Sequence, residues 1–205
     1  MPNGLSKKCS AVGAALLGRG LHATLCSANE HKARELQGLL PGWRIELLES
    51  DGYPEETGAT YEENARLKAR FGREVGPAER WMLGDDSGIE IEALGWGPGI
   101  RSARVAGGDE AGWALTQMGG RPDRRARMRC ELVAIAPNGS ELRGSGTLEG
   151  TIAVERRGEA GFGYDPVFVP DGETRTTAEL GEDWKAKHSH RALAAQALVA
   201  AVRNS

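Results

Sequence analysis

Short apolar segments alternate with polar turns through the first half of the chain, which predicts alternating strands and helices. Residues 23–26 form an apolar, partly β-branched run. Leucines then recur at helical spacing, at Leu36, Leu39 and Leu40. Asn29 is a suitable N-cap for this helix, and the Pro41-Gly42 pair should end it. We therefore expect a strand, a turn and a helix, followed by a second strand over Trp43–Leu47.

The next segment predicts a polar loop and a capped helix. Residues 53–58 contain proline, glycine and two glutamates, so they are too polar and too broken for regular structure. Thr60 and Glu63 then form a capping-box pattern that opens a helix. Asn64 and Lys68 stand four residues apart, so both side chains should lie on one face of this helix.

Two adjacent carboxylates, Asp85 and Asp86, lie near the middle of the chain. Residues 80–83 are typical of the end of a buried strand, and residues 89–92 alternate apolar and charged side chains like a half-exposed strand. We therefore expect the aspartates in a tight connection between two strands. Because adjacent residues of an extended chain point to opposite sides, the two carboxylates can serve different partners, such as a metal ion and a water molecule. A solvated polar turn is the alternative interpretation.

The second half of the chain is less regular. Residues 95–99 form a glycine-rich turn that fits no nucleotide-loop pattern, and residues 107–127 contain only one short amphipathic segment. Strands are expected over residues 130–135 and 150–154, with Asn138-Gly139 between them suited to a tight turn. The last apolar positions keep a helical period, and Ser189 is suitable as the cap of that helix.

Composition limits the class of protein. The 205 residues suit a single domain with a substantial core, and the net charge of −3 gives no overall attraction to nucleic acid or membranes. Three widely spaced cysteines, Cys9, Cys26 and Cys130, indicate reduced thiols in a cytoplasmic protein. We expect residues 1–21 to be a disordered extension, because their apolar run is short and diluted by Ala and Gly, and residues 22–205 to form the domain. No later run is long enough to span a bilayer.

Three segments carry candidate ligand chemistry. The helix start at Asn29, with Lys32 one turn in, is a natural phosphate site, although a capped helix with a surface lysine fits equally well. Residues 160–166 place glycines around two aromatics, which suits either stacking on a base or a tight turn capped by core aromatics. His190 and Arg191 in the first turn of a helix are unfavourable by the dipole rule, which argues for an anion or polar ligand.

Two other hypotheses are weaker. The basic run over residues 121–129 could touch RNA, but a solvated connection fits a protein of this charge better. His188 and His190 have zinc-like spacing, but no third or fourth ligand stands at a suitable distance in the sequence.

Eight segments, in chain order, together carry one resemblance. They are Ser27-Ala28-Asn29-x-x-Lys32, Glu55-Glu56-Thr57-Gly58, Asn64-x-x-x-Lys68-Ala69, Asp85-Asp86-Ser87-Gly88, Pro98-Gly99-Ile100, Gly161-Phe162-Gly163-Tyr164-Asp165-Pro166, Thr177-Ala178-Glu179-Leu180 and Ser189-His190-Arg191. This combination closely resembles the Ham1/RdgB family of inosine/xanthosine triphosphate pyrophosphatases. The resemblance implies an α/β fold with an elongated mixed β-sheet flanked by helices, two lobes around a central nucleotide cleft, Mg²⁺ dependence and a homodimer.

The resemblance also implies a role for each matching residue. Glu56 and Asp85 correspond to the metal-binding carboxylates, and Asp86 corresponds to the general base. The implied substrate contacts are Ser27, Ala28, Asn29, Glu30, His31, Lys32, Lys68, Ser87, Phe162, Gly163, Tyr164, Asp165, Lys185, His190 and Arg191. Lys185 is preferred to Lys187 because it stands six residues before Arg191, as in the family.

The implied reaction is hydrolysis of dITP, ITP and XTP to the nucleoside monophosphate and pyrophosphate, which keeps noncanonical purines out of DNA and RNA. Mg²⁺ prefers a few carboxylates together with phosphate oxygens and waters, and Asp86 would deprotonate the attacking water. A donor such as Arg191 facing the 6-oxo group would disfavour adenine by roughly 1–3 kcal/mol per unpaired group. The expected partners are the nucleotide and a second copy of the chain, with no membrane and no stable nucleic-acid partner.

The chain departs from the family pattern in three places. Ser27-Ala28 replaces the more usual Thr-Gly, and the N-terminal extension has no counterpart. Residues 107–129 match poorly, with Gly112 and Gly119-Gly120 expected to interrupt a helix and Met128 where the family often has phenylalanine. A catalytically silent nucleotide- or RNA-binding protein is the rival from another class, but a binder needs no general base.

Overall fold

The computed structural model describes residues 20–205, which form alternating strands and helices. The strands are β1 (Leu21–Leu25), β2 (Trp43–Leu47), β3 (Trp81–Ile91), β4 (Gly97–Pro98), β5 (Arg125–Ile135), β6 (Glu141–Ile152) and β7 (Phe168–Pro170). The α-helices are α1 (Glu30–Leu39), α2 (Tyr61–Val75), α3 (Ser102–Ala106), α4 (Glu110–Gln117), α5 (Thr177–Leu180), α6 (Glu182–His188) and α7 (His190–Asn204). Short 3₁₀ turns lie at Glu92–Leu94 and Gly99–Arg101.

The described strands belong to one open, mixed sheet. Its order is β2-β1-β3-β5-β6-β7, and β4 pairs with β3. β1 runs parallel to both β2 and β3, so that Leu25 lies opposite Leu47 on one side and Leu83 on the other. β4 pairs antiparallel to β3, and β7 pairs antiparallel to β6. The expected α/β class, with a mixed sheet flanked by helices, is therefore confirmed.

The chain is divided into two compact units, each assembled from separate segments. The first unit comprises residues 20–86, Glu131–Ser145 and Ala194–Ser205, and the second comprises Ser87–Cys130 and Gly146–Leu193. The boundary falls inside β3, between Asp86 and Ser87. Asp85 and Asp86 therefore belong to the first unit, and the next residue, Ser87, belongs to the second.

In the first unit, α2 approaches β3 closely at Gly84. A Cβ atom at that position would lie 1.8 Å from the carbonyl oxygen of Ala65, so only glycine fits there. The buried cluster of this unit contains Cys26, Leu48, Ala65, Ala69, Met82, Val133 and Ile135. Burial raises the pKa of the Cys26 thiol to about 12, so that this cysteine is an inert part of the core.

The second unit has its own core. The buried residues are Ile89, Ile91, Ala111, Ala114, Met118, Ala126, Met128, Ile152, Tyr164, Val167 and Phe168. Met128, which departs from the family pattern, is thus a core residue of its own chain. Cys130 is buried and, like Cys26, forms no disulfide, as expected; Cys9 lies outside the described residues.

The predicted helix starts are confirmed by their caps. The Asn29 side chain accepts a hydrogen bond from the Lys32 amide at 3.1 Å and begins α1. The Thr60 hydroxyl accepts from the Glu63 amide at 3.2 Å and begins α2. The Ser189 hydroxyl accepts from the Ala192 amide at 3.1 Å at the start of α7. These are local interactions, which explains why the sequence identified them.

The predicted connection at Asp85 and Asp86 is wrong. β3 runs without a break from Trp81 to Ile91 and includes both aspartates, Ser87 and Gly88. The short polar stretch resembles a turn, but pairing with its neighbours in the sheet keeps it extended. Both carboxylates are buried, at 0% exposure for Asp85 and 4% for Asp86, which excludes the alternative of a solvated turn.

The poorly matching region is more regular than expected. Gly112 does not interrupt a helix, because α4 runs through it and the Asp109 carboxylate accepts from its amide at 3.0 Å. The basic run is not a solvated connection either, since β5 begins at Arg125. Arg124 donates to the carbonyl oxygens of Met118, Ile152 and Ala153 at 2.6 to 2.9 Å.

Two expectations concern the chain ends and membranes. The predicted extension over residues 1–21 lies outside the described residues except for Gly20 and Leu21, and β1 already includes Leu21. Within residues 20–205, none of the helices has the length and apolar character needed to cross a membrane.

Candidate active site

The first unit contains a cluster of carboxylates and lysines, formed by Lys32, Glu56, Lys68, Asp85 and Asp86. Asp85 and Asp86 are adjacent in β3, so their side chains point in opposite directions. The Nζ atom of Lys32 lies 2.5 Å from Asp85 Oδ1, and the Nζ atom of Lys68 lies 2.8 Å from Asp86 Oδ1. The two carboxylates therefore bind different lysines, and their service to a metal ion and a water molecule stays a prediction.

Lys68 connects residues that are far apart in the sequence. Its ammonium group lies 2.5 Å from Glu56 Oε1 and donates to the backbone oxygen of Asp85 at 3.1 Å, in addition to its contact with Asp86. The structure therefore brings Glu56 to the same ammonium group as the aspartate pair. α2 positions Lys68, whose side chain is only 12% exposed, so this contact is held in place.

Burial shapes the protonation of this cluster. Burial raises the pKa of the Asp86 carboxyl above its ordinary value, and the neighbouring Glu56 raises it further, although Lys68 and Lys32 oppose the change. Burial alone would lower the pKa of Lys68, but Asp86 and Glu56 outweigh it and raise that pKa. Lys68 is therefore a permanent cation, and Asp86 is a stronger base than an exposed aspartate.

The segment of residues 27–32 forms the loop before α1. The Ser27 hydroxyl accepts from the Asn29 amide at 3.1 Å, and Ala28 and His31 are exposed. Glu30 lines a separate groove of about 810 Å³ with residues of β2 and the segment after α2. Lys32 is not a surface lysine, because its side chain is 14% exposed and bonded to Asp85. Of this loop, Lys32 is the residue that the structure places in the carboxylate–lysine cluster.

The donor set fits a hard divalent cation. Glu56 and Asp85 offer carboxylate oxygens, which Mg²⁺ prefers, and Asp85 is fully buried. Among residues 20–205, no three His, Cys, Asp or Glu side chains are grouped so as to hold a metal ion. Within the described residues, the His188 and His190 pair therefore has no third zinc ligand beside it. An ion held by Glu56 and Asp85 would complete its coordination shell with phosphate oxygens and water.

The second unit contains a cluster around one buried carboxylate, Asp165. This carboxylate accepts from the Phe162 amide at 2.9 Å, from Thr177 Oγ1 at 2.9 Å and from Lys185 Nζ at 2.7 Å. Gly161, at a φ of +79°, permits this arrangement, because a Cβ atom there would lie 2.0 Å from Asp165 Oδ2. Lys185 is 5% exposed and is buried in α6, whereas Lys187 in the same helix is exposed.

Phe162 and Tyr164 have different environments. The Phe162 ring centroid lies 5.5 Å from Lys185 Nζ and 5.8 Å from the guanidinium carbon of Arg191. Tyr164 is 7% exposed, lies in the core and donates from its hydroxyl to the Ser102 carbonyl at 3.2 Å. Tyr164 therefore fits the interpretation as a core aromatic, whereas Phe162 lies beside two cations and its stacking on a base stays a prediction.

The start of α7 adds further polar groups to the second unit. Arg191 is 2% exposed, and its Nη2 atom donates to the Ser87 hydroxyl at 2.9 Å. His190 precedes it and is half-buried. Gly163, at a φ of +65°, has open space where a side chain would begin. Ser87 and Arg191, which stand 104 residues apart in the sequence, are thus brought together.

The sequence did not identify two residues that hold these clusters. Asn64 is fully buried and donates to Asp86 Oδ2 at 3.2 Å. Thr177 is 1% exposed and binds the carboxylate of Asp165. The four-residue spacing of Asn64 and Lys68 was the available signal for the first, whereas nothing beyond its place in a matching segment indicated the second.

Comparison with known proteins places this geometry in a family. The model of the Ham1 family matches residues 23–201. A protein from Exiguobacterium sp. named dITP/XTP pyrophosphatase is 43% identical over 193 residues, which cover 87% of this chain and 95% of that protein. A protein of the same name from Deinococcus deserti is 42% identical over 191 residues, which cover 89% and 90%.

Solved structures agree with the sequence comparison. A HAM1 protein from Coxiella burnetii superposes with a TM-score of 0.76 at 35% identity and covers 90% of this chain and 100% of its own. The Ham1 protein of Staphylococcus aureus gives a TM-score of 0.75 at 34% identity, with 87% and 96% covered. Because the family model spans most of the chain and the relatives align over nearly their whole length, this protein belongs to the Ham1 family.

Proposed function

We propose that this protein hydrolyses the noncanonical purine nucleoside triphosphates dITP, ITP and XTP between the α and β phosphates. The products are the nucleoside monophosphate and pyrophosphate. The observation that carries this proposal is the buried Asp86, which lies beside Asp85 and shares the Lys68 ammonium group with Glu56. The names of the relatives, dITP/XTP pyrophosphatases, support the same substrates.

Asp86 is the proposed general base. Its raised pKa suits it to take a proton from the attacking water, and Lys68 keeps its carboxylate ionised and oriented at 2.8 Å. Lys32 and Lys68 offset the charge of the phosphates, together with the hydroxyl groups of Ser27 and Ser87. The remaining residues of the loop, Ala28, Asn29, Glu30 and His31, contribute backbone groups at the start of α1.

Glu56 and Asp85 are the proposed ligands of Mg²⁺. When bound, the ion supplies positive charge that stabilises the phosphate oxygens and the leaving pyrophosphate. Both carboxylates already lie against ammonium groups, at 2.5 Å from Lys68 and Lys32 respectively. These lysines are long and flexible, so they can exchange a carboxylate partner for a phosphate when nucleotide and metal bind.

The second unit supplies the proposed contacts to the base. Phe162 offers a ring for stacking, and Lys185, His190 and Arg191 offer donors to the 6-oxo group of the purine. Asp165 fixes Lys185, while Gly163 and Tyr164 hold the backbone around Phe162. Adenine carries an amine at position 6, so it would leave a buried donor unpaired, at a cost of roughly 1–3 kcal/mol per group.

We also propose the wider setting of the enzyme. It acts as a homodimer in the cytoplasm and keeps noncanonical purines out of DNA and RNA, with residues 1–20 as an extension before the catalytic domain. The buried thiols of Cys26 and Cys130, which form no disulfide, support a reducing compartment. The hydrogen bonds of Arg124 to backbone carbonyls and the 2.5 Å ion pair of Arg127 with Glu90 argue against a stable nucleic-acid partner.

A panel of purified nucleoside triphosphates tests the proposal. Pyrophosphate release should be at least about 10-fold faster, as kcat/KM, from dITP, ITP and XTP than from ATP or GTP, because discrimination rests on a few hydrogen bonds. A chelator should abolish release, and added Mg²⁺ should restore it. Equal turnover of ATP, or tight RNA binding without any pyrophosphate release, would refute the proposal.

A further inference from the structure

We propose that Asn64 is a positioning residue that fixes the orientation of Asp86 and ties the loop bearing Glu56 to the same point. Asn64 would act through these two groups and would not touch the substrate. The inference rests on the function proposed above, because it assigns a part in that reaction to a residue outside the predicted site.

The side-chain amide of Asn64 uses both of its ends. Its Nδ2 atom donates to Asp86 Oδ2 at 3.2 Å, and its Oδ1 atom accepts from the Gly58 amide at 2.8 Å. Asn64 is fully buried, so neither bond competes with water. One neutral amide therefore joins the general base in β3 to the loop of residues 55–58, which carries Glu56.

The loop reaches Asn64 only because residue 58 is glycine. A Cβ atom on Gly58 would lie 2.7 Å from Asn64 Oδ1 and 2.7 Å from the Cβ atom of Glu63. The next residue, Ala59, is held as well, since its amide donates to the Glu63 carboxylate at 2.6 Å. The loop is thus attached to the first turns of α2 at two successive amides, two and three residues after Glu56.

Asn64 and Lys68 divide the carboxylate of Asp86 between them. Lys68 binds Oδ1 at 2.8 Å, and Asn64 binds Oδ2 at 3.2 Å, so the plane of the carboxylate is fixed from both sides. Lys68 brings a charge, whereas Asn64 orients the group without neutralising it. Loss of Asn64 would leave the Asp86 carboxylate bound at Oδ1 only, by Lys68, and would release the Gly58 amide in the loop of Glu56. The looser orientation of both groups lowers the rate of a reaction that depends on orientation.

The decisive comparison uses Asn64→Ala, Asn64→Asp and the control Thr24→Val. Thr24 is 1% exposed in the same unit, and its hydroxyl has no hydrogen-bond partner within residues 20–205, so its replacement tests the effect of altering a buried polar residue alone. We expect Asn64→Ala to lower kcat for ITP by 10- to 100-fold, with KM within about threefold, while Thr24→Val stays near wild type. Binding of Mn²⁺ to the nucleotide-free protein, followed by electron paramagnetic resonance, should weaken several-fold in Asn64→Ala only.

Asn64→Asp separates positioning from packing. It keeps the volume and the acceptor for the Gly58 amide, but it replaces the donor to Asp86 by a like charge. A packing role predicts that Asn64→Asp recovers activity relative to Asn64→Ala, whereas the positioning role predicts that kcat stays at least as low. If circular dichroism shows that Asn64→Ala does not fold, Asn64→Asp is compared with wild type instead: the positioning role predicts a kcat at least about 10-fold below wild type, and a smaller loss would overturn it.

Two outcomes would overturn the proposal. One is kcat and Mn²⁺ affinity within twofold of wild type in Asn64→Ala, and the other is recovery of both in Asn64→Asp. Failure of the proposed function is distinguishable, because wild type would then release no pyrophosphate from ITP. The Mn²⁺ measurement would still show whether Asn64 holds the loop of Glu56, since it needs no substrate.

Discussion

Two adjacent aspartates pair with different lysines, because successive side chains along strand β3 alternate in direction. Asp85 reaches Lys32 and Asp86 reaches Lys68, each within 2.8 Å. Both lie in a buried environment, which favours close pairing and raises the pKa of Asp86. The direction of each side chain thus decides which lysine it pairs with, and burial raises the pKa of Asp86.

Asp86→Asn tests the proposed base. The amide keeps the shape of the carboxylate but cannot accept the proton from water, so kcat for ITP should fall by roughly 100- to 10,000-fold. KM should change little, because Lys32 and Lys68 remain available for the phosphates. Steady-state pyrophosphate release gives kcat, and equilibrium binding of a methylene-bridged ITP analogue gives the affinity. Turnover close to wild type would remove Asp86 from this role.

At the scale of elements, the site depends on the close packing of α2 on β3. The two elements carry Asn64 and Lys68 on one side and Asp86 on the other, and the three side chains meet by hydrogen bonds of 2.8 to 3.2 Å. This approach is possible because Gly84 has no side chain against the backbone of Ala65. The glycine before the aspartates is thus part of the site through packing alone.

Gly84→Ala should therefore affect stability and activity together. The added methyl group would overlap the Ala65 carbonyl, and overpacking of this kind costs roughly 1–3 kcal/mol of the free energy of unfolding. Urea unfolding followed by tryptophan fluorescence measures this change, and pyrophosphate release should fall in the same variant. Gly38→Ala is the matched control, since nothing lies within 4 Å of its added Cβ in α1. We expect the control to gain about 0.5–1 kcal/mol, because alanine favours a helix. Equal stability of the two variants would contradict the packing argument.

At the scale of the whole molecule, the proposed homodimer remains to be measured. The resemblance to the family implies it, and the second unit exposes apolar side chains that a second copy could cover. These are Trp96, Val105 and Val154, which are 37%, 41% and 79% exposed. Light scattering on the purified protein should give twice the chain mass of 21.9 kDa at micromolar concentration. A fully active particle with the mass of one chain would contradict the dimer.

The sequence predicted local features well. Asn29, Thr60 and Ser189 cap their helices as expected, because a cap is formed by residues two or three positions apart. Asp85 and Asp86 were recognised as chemically important, but their backbone was mistaken for a turn. The reason is that Asp, Ser and Gly favour turns by themselves, while pairing with distant strands keeps β3 extended.

By itself, the sequence determined the first strands and helices, the helix caps and, through its motifs, the family, and it singled out the carboxylates and lysines of the candidate site. Only the tertiary structure decided which lysine pairs with which aspartate. It also decided that Tyr164 packs in the core while the Phe162 ring lies beside Lys185. The hydrogen bonds of Asn64 and Thr177 to buried carboxylates were likewise visible only in the structure. The physical reason is that these contacts join residues as far as 53 positions apart, whereas periodicity and capping report on near neighbours. Burial raises the pKa of Asp86, and a hydrogen bond joins Arg191 to Ser87. Both exist only after the chain has folded.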